Sequence, residues 1–290
     1  MDTIEMRFAE FSGWFDWLAV IGLGFFVLTV VEVAWDMVTR QRDGIRETAA
    51  NFVIAVGNQL LELSIYGLVF IIGLFAAELV TPLDLPVNVW TWVLALIAAD
   101  FTYYWMHRIE HRVRVLWAYH SVHHSSPEFN LTTALRLAWT EGLIEWVFFV
   151  PMVLLGFDAV QTVIAILVVI TYQTWIHTQK IGRLGWLDGI FNTPSVHRVH
   201  HGANGSYLDK NYGGILIVWD RMFGTYQPER EPVVFGITEP IGSANPIVIN
   251  FYEFYAILRD CIAARRLSDI WGYLFKPPGW RPETPEREQR

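Results

Sequence analysis

The chain has one cysteine, Cys261, in 290 residues, so an intrachain disulfide is excluded and nothing follows about redox compartment. Charge is scarce as well. Only 17% of residues are charged while 53% are hydrophobic, and the mean hydropathy is +0.31, far from an ordinary soluble domain. The formal charge of −8, with no Lys/Arg run and no RNA-binding signature, excludes nucleic acid as a partner. No G-x-G-x-x-G opens a strand–turn–helix unit, and Gly22 and Gly24 lie inside an apolar segment where they read as helix-packing positions. No haem-domain signature is present either, so any redox chemistry needs a separate electron donor. The N-terminus lacks the basic region and small-residue cleavage site of a signal peptide, and the first apolar segment is expected to remain as an anchor. Apart from one reused histidine pattern there are no internal repeats.

Long apolar runs are what the chain has in place of charge. Trp17–Trp35 is charged only at Glu32, and Phe52–Val80 is interrupted by Asn58, Gln59 and Glu62. Val87–Met106 meets Asp100 near its end, and Leu143–His177 is long enough for two passes split around Gly156-Phe157-Asp158. The pattern predicts an all-α integral membrane protein with four to five transmembrane helices, the second run reading either as a crossing or as a long, partly re-entrant helix. Glu32 and Glu62 read as interfacial or bundle-facing carboxylates in preference to functional ones. Arg40, Arg42 and Arg46 follow the first run, Arg108, Arg112 and Arg114 the third, and Lys180 and Arg183 the last, whereas the opening segment and the loop with Glu78 and Asp84 are poor in basic residues. By the positive-inside rule the basic side is cytoplasmic. The Trp and Tyr residues around 103–119, including Tyr103, Tyr104, Trp105, Trp117 and Tyr119, read mainly as interfacial belt or core.

All nine histidines fall in a few short stretches. Eight form three clusters, His107-Arg-Ile-Glu-His111, His120-Ser-Val-His123-His124 and His197-Arg-Val-His200-His201, and the ninth, His177, stands alone in an apolar neighbourhood. Residues three and four apart share a helix face, so each cluster aims two or three imidazoles at one spot. A structural zinc takes four ligands and a catalytic one three, so this set suits two metal ions with open positions. Imidazole serves zinc, copper, iron and nickel alike, and the residues alone leave the element open. All three clusters fall at or just beyond the basic face, predicting a cytoplasmic histidine-rich helical cap.

Two other classes compete. His107–His111 also reads as H-x-x-E-H, an inverted zinc-hydrolase signature with Glu110 as base, but that reading leaves seven histidines unused. Glu110 is instead expected to be solvated or ion-paired with Arg108 or Arg112. A metal transporter would carry its ligands along a path inside the crossing helices, whereas these gather at one face. Asp100 precedes His107 by two helical turns on the same face, the place either for a carboxylate that orients a ligand imidazole or for an ordinary helix-end carboxylate. Asn192, Pro194 and Ser195 are expected to order the loop into the third cluster.

Asp100-Phe-Thr-Tyr-Tyr-Trp-Met-His107-Arg-Ile-Glu-His111, Trp117-Ala-Tyr-His120-Ser-Val-His123-His124-Ser-Ser, Asn192-Thr-Pro-Ser-Val-His197-Arg-Val-His200-His201-Gly and Asn211-Tyr-Gly-Gly-Ile-Leu-Ile-Val-Trp-Asp220-Arg-Met-Phe-Gly-Thr resemble the fatty acid hydroxylase superfamily, also called the sterol desaturase family, and within it the alkylglycerol monooxygenase-like branch. The resemblance covers roughly residues 88 to 280. It implies a membrane-bound di-iron oxygenase in which His107, His111, His120, His123, His124, His197, His200 and His201, together with His177, hold two non-haem iron ions. It further implies a lipid substrate drawn from the bilayer, O2, and an external reductant, whether a pterin, a ferredoxin or a cytochrome. Hydroxylation is the expected outcome; desaturation on the same irons is the alternative, and sterol, fatty-acyl, sphingoid and ether lipids all remain open as substrates. The expected organisation is anchor helices over 1–87, the di-iron domain over 88–264 and a polar tail over 265–290, frayed from Lys276 through Thr284-Pro285-Glu286.

Overall fold

The computed structural model describes residues 2–39 and 44–283. Arg40, Arg42 and the Thr284-Pro285-Glu286 part of the tail lie outside the described residues. Among the described residues no strand forms, only the isolated bridges Phe191–Leu216 and Gly202–Phe235.

Helix α1 (Asp2–Glu10) leads into α2 (Ser12–Thr39), and α3 runs from Ile45 to Val80 with one π turn at Glu62–Tyr66. Helices α2 and α3 are long and apolar enough to cross a bilayer, and the most apolar window of each is only 11% and 17% buried. A soluble core helix would be mostly buried; these turn Val20, Leu23, Val27, Val31, Leu60 and Leu68 outward, a surface stable only against lipid. The 36 residues of α3 extend about 54 Å, well beyond the ~30 Å hydrocarbon core.

Helix α4 (Val89–Arg112) starts at a capping box: Asn88 accepts from the amides of Trp90 and Thr91, and the Thr91 hydroxyl accepts from the amide of Asn88. After the extended Val113, α5 (Arg114–His124) follows at once. Helices α6 (Trp146–Leu154) and α7 (Ala159–Gln173) have 9 and 15 residues, short of the ~20 that span a bilayer. The break between them is Gly156, whose φ of 96° suits glycine alone, and Asp158 caps α7 through the amide of Gln161. Helices α8 (Pro194–His200), α9 (Val218–Phe223), α10 (Pro246–Ala263) and α11 (Leu267–Phe275) complete the chain. The tail expected over 265–290 thus contains a helix, with Arg114 at the base of α5 donating to Glu253 and Asp260 of α10 at 2.7 Å each.

The main apolar core gathers Leu74 and Ala77 of α3, Ala95, Ala99 and Met106 of α4, Phe149 and Val153 of α6, and Ile166 and Val169 of α7. Alanines on α4 let α7 approach closely. At one end Arg7 donates to Glu78 of α3 and Asp158 before α7. His107 is eighteen residues past Val89 on α4, about 27 Å along the axis, so the Glu78–Asp84 loop and the histidines occupy opposite ends of the bundle.

Two buried polar anchors fasten α2 and α3 to the histidine end. Glu32 faces the bundle and accepts from the Leu131 amide and the Thr178 hydroxyl, in keeping with a bundle-facing carboxylate. Arg136, 1% exposed, donates to Glu47 and Asn51 of α3 and to the Val122 carbonyl and Ser125 hydroxyl at the end of α5. Removing one partner of a buried charge network strands the rest. Arg136→Met should therefore destabilise the protein by about 3–5 kcal/mol, visible as a lowered thermal midpoint in detergent, while Arg259→Met on the exposed face of α10 should leave it unchanged.

Candidate metal centre

All nine histidines are buried and meet at one place. One group holds His107 and His111 of α4, His120 and His124 of α5, and His200 of α8; the other holds His123, His177, His197 and His201. Within each group the ligand-capable atoms lie within 4.8 Å of one another. The stacked rings of His124 and His201, centroids 4.3 Å apart, join the two groups.

The spacing in sequence accounts for the convergence. His107 and His111 are one helical turn apart, as are His120 and His124, and His197 and His201 bracket the end of α8. Pro194 at the first turn of α8 pre-sets its backbone. Asn192 orders the approach to it, donating to the Gly213 carbonyl at 2.6 Å, and Ser195 is buried beside it.

The ring nitrogens sort into two roles. The Nδ1 atoms of His107, His177 and His200 donate to the main-chain carbonyls of Tyr212, Gln173 and Lys210 at 2.9, 2.8 and 2.9 Å. That fixes the tautomer and leaves each Nε2 lone pair free. The Nε2 atoms crowd together: His107–His120 at 3.0 Å, His120–His124 at 3.1 Å, His123–His177 at 3.1 Å, His177–His197 at 2.9 Å and His197–His201 at 3.1 Å. Two nitrogens about 2.1 Å from a common ion and at right angles around it stand about 3.0 Å apart. His111 Nε2 and His200 Nε2 are buried with no hydrogen-bond partner. Burial, reinforced by the neighbouring histidines, holds His120, His123, His124, His197, His200 and His201 well below the usual imidazole pKa. Neutral imidazoles with converging, unpartnered lone pairs are the donor set a divalent transition metal takes, so the residues fit two ions.

Three acidic residues hold the surroundings. Asp100 does not touch an imidazole; it accepts from the amides of Ile215 and Leu216 and from Trp219 Nε1 at 2.6, 3.1 and 2.8 Å. It therefore acts on His107 through the segment that carries the Tyr212 carbonyl. Asp220, fully buried, accepts from the Tyr212 and Gly213 amides and the Thr225 hydroxyl; its segment carries part of the resemblance, but nothing in the spacing of that segment assigns Asp220 a role. Glu110 corrects an expectation. It is not solvated beside Arg108 or Arg112 but 1% exposed, with Oε2 at 3.3 Å from His120 Nδ1 and Oε1 accepting from the Tyr119 hydroxyl. Its helical spacing of ten before His120 gave no hint, because the bend at Val113 folds α5 back on α4. A cavity of about 250 Å³ opens against His111, His124, His200 and His201, so it reaches both groups.

Two outcomes test this arrangement. In metal-free protein the unfolded histidines titrate near pH 6.5 while the buried ones stay neutral to lower pH, so the unfolded state binds more protons below about pH 6.5 and stability falls as pH falls. The thermal midpoint of chelated protein should drop between about pH 7.5 and 5.5, and less steeply in His124→Ala. Asp220→Asn should weaken metal binding by about ten- to a hundredfold, read by competition with a chromogenic chelator.

The fatty acid hydroxylase family model matches residues 92–225, a segment that contains every one of these histidines. The chain is 44% identical to human alkylglycerol monooxygenase over 204 residues, 70% of this chain and 45% of that protein. It is 31% identical to the alkylglycerol monooxygenase of Caenorhabditis elegans over 98% of this chain and 57% of that one. An ornithine lipid hydroxylase of Rhizobium tropici is 32% identical over 50% of this chain and 45% of its own. The chain thus spans about half the length of the curated relatives it matches. No solved structure matches it. From the first turn of α4 to the threonine whose hydroxyl Asp220 binds, the chain belongs to the fatty acid hydroxylase family.

Proposed function

We propose that this chain is a membrane-bound non-haem di-iron monooxygenase that hydroxylates a C–H bond of a lipid, using O2 and electrons from an external donor. The observation that carries it is the pair of adjoining all-histidine groups, five and four strong, in a chain whose similar proteins are named as lipid monooxygenases and hydroxylases. Two iron ions held there would activate O2 for insertion into an unactivated C–H bond.

The protein's own part is placement. The two histidine groups share the His124–His201 contact, which would hold the ions as neighbours over one cavity. The carbonyls of Tyr212, Gln173 and Lys210 keep three ligand nitrogens pointed inward. Burial of all nine rings excludes water from the donor atoms, and the cavity leaves one open approach beside His111, His124, His200 and His201. Among the described residues no strand forms, so they contain no strand-based dinucleotide fold, and the electrons come from a separate protein or a diffusible reductant such as a pterin. The histidine end of α4 lies on the cytoplasmic side and the Glu78–Asp84 loop opposite, following Arg46, Arg108, Arg112, Lys180 and Arg183.

A metal transporter needs ligands along a path through the crossing helices, but these cluster at one end of the bundle. A hydrolase would turn over without O2, so the oxygen dependence of turnover separates it from this reading. Protein purified with iron should contain about two ions per chain, and both His124→Ala and His201→Ala should lower that number and abolish turnover. Supplying ¹⁸O2 with sterol, fatty-acyl and alkylglycerol lipids should place label in the lipid product or its released aldehyde. An unlabelled alkene would make the enzyme a desaturase, and turnover without oxygen would remove it from this chemistry.

A further inference from the structure

Helix α10 has a second apolar face that is largely exposed. Ile249 and Ile257 turn inward and are buried, but Ile247, Phe251, Tyr255, Leu258 and Ile262 are exposed at 61, 43, 67, 57 and 76%. Their spacing of four, four, three and four residues sets them in one stripe along the helix. Helix α11 continues it with Leu267, Trp271 and Phe275, exposed at 85, 64 and 42%. The turn between the helices carries Arg265 and Arg266, both exposed, and Arg259 lies exposed at the edge of the stripe. An apolar stripe this long, rimmed by arginine and tipped with Trp and Tyr, has the composition of a helix lying in a membrane surface.

The depth of this stripe follows from its neighbours. Phe251 meets Trp139 edge to face, with centroids 6.4 Å apart. Trp139 in turn donates through Nε1 to the Ile54 carbonyl of α3 at 3.0 Å and lies against Gly57. Counting back about twenty residues from Val80, the length of a hydrocarbon crossing, reaches Leu61. Ile54–Gly57 therefore stand about 6–10 Å beyond the hydrocarbon edge, at headgroup level on the histidine side. The stripe thus adjoins the lipid-facing surface of α3 through Phe251 and Trp139.

The other side of the same helix faces the metal centre. Tyr252 and Glu253 of α10, with Pro277, Pro278 and Gly279 just after α11, line the cavity that ends on His111, His124, His200 and His201. Helix α10 and the residues just after α11 thus form one wall of that cavity, with the exposed stripe on the outer side of α10.

We propose that α10 and α11 form an in-plane membrane hairpin, seated in the headgroup layer of an anionic bilayer, which walls the route by which lipid passes from the bilayer into the metal-centre cavity. The route rests on the lipid oxygenase reading; the seating does not. The hairpin brings the cavity to the depth where a lipid's headgroup and first chain carbons already lie, so substrate need not leave the membrane to be reached.

The test uses full-length protein in nanodiscs of phosphatidylcholine with about one quarter phosphatidylglycerol. Spin labels are placed singly at Leu258→Cys and Ile262→Cys, with Ser206→Cys as the cap control, in a Cys261→Ser background. Labels at 258 and 262 should collide severalfold more with O2 than with a water-soluble nickel chelate, and the label at 206 the reverse. Nickel access at 258 and 262 equal to that at 206 overturns the seating, as does shielding from both reagents, which would mean that a second protein copy covers the stripe. The double variant Phe251→Glu/Ile262→Glu should raise KM for bilayer lipid about tenfold or more, with kcat held within about twofold; an unchanged KM overturns the access route. If the labels report lipid contact but no lipid is ever oxygenated, the hairpin stands and the oxygenase reading falls.

Discussion

Neutral imidazole nitrogens crowded together in a buried space are the constraint around which this protein is organised. Five Nε2–Nε2 separations near 3 Å are mutually repulsive unless a proton or a cation sits between the partners. A neutral Nε2–H can bridge only one such pair, and burial opposes a second proton on the same ring, because a charged imidazole in this interior has lost its hydration. A metal cation resolves the conflict without adding protons. Everything that packs around the nine rings therefore has to hold a locally unfavourable arrangement in place, and the surrounding structure is correspondingly rich in buried, hydrogen-bonded polar groups.

The segment 209–225 is the main such support. Asp209 and Asn211 both adopt positive φ, 59° and 58°, a region that costs non-glycine residues free energy. The strain is held by bonds from several directions: Asn211 Nδ2 donates to the Val196 and Gln227 carbonyls, Asp220 takes the next two amides, and Asp100 takes two more from across the bundle. The reward of this path is that two carbonyls, of Lys210 and Tyr212, arrive opposite two imidazoles on different helices. Asp100 thereby couples the apolar core of α4 and α7 to the metal centre, two helical turns from His107 yet reaching it only through the chain's main-chain path.

How much of this was legible beforehand depended on whether the signal was periodic. Imidazoles at i and i+4 on a helix announce a shared face, so His107/His111 and His120/His124 could be read directly, and the apolar runs of α2 and α3 could be read from composition. The run over 143–177 could be read as two segments parted around Gly156-Phe157-Asp158, and Gly156 does part it, into helices of 9 and 15 residues whose shortness composition did not reveal. Glu110 was misread because H-R-I-E-H looks like an exposed, charged turn; only the reversal at Val113, a tertiary event, brings His120 over it. Helix α10 was missed altogether. Glu253, Arg259 and Asp260 break its apolar pattern; Glu253 and Asp260 pair with Arg114 on its inner side, while Arg259 stays exposed beside Asp260.

That the orienting acceptors for His107, His177 and His200 are peptide carbonyls has an evolutionary consequence. A carbonyl is present whatever side chain a residue bears, so positions 212, 173 and 210 can change identity without deleting the group their histidine depends on. Drift at those positions is buffered, and the burden of fidelity passes to residues that never approach an imidazole: Asp100, Asn211 and Asp220, which decide where the backbone runs.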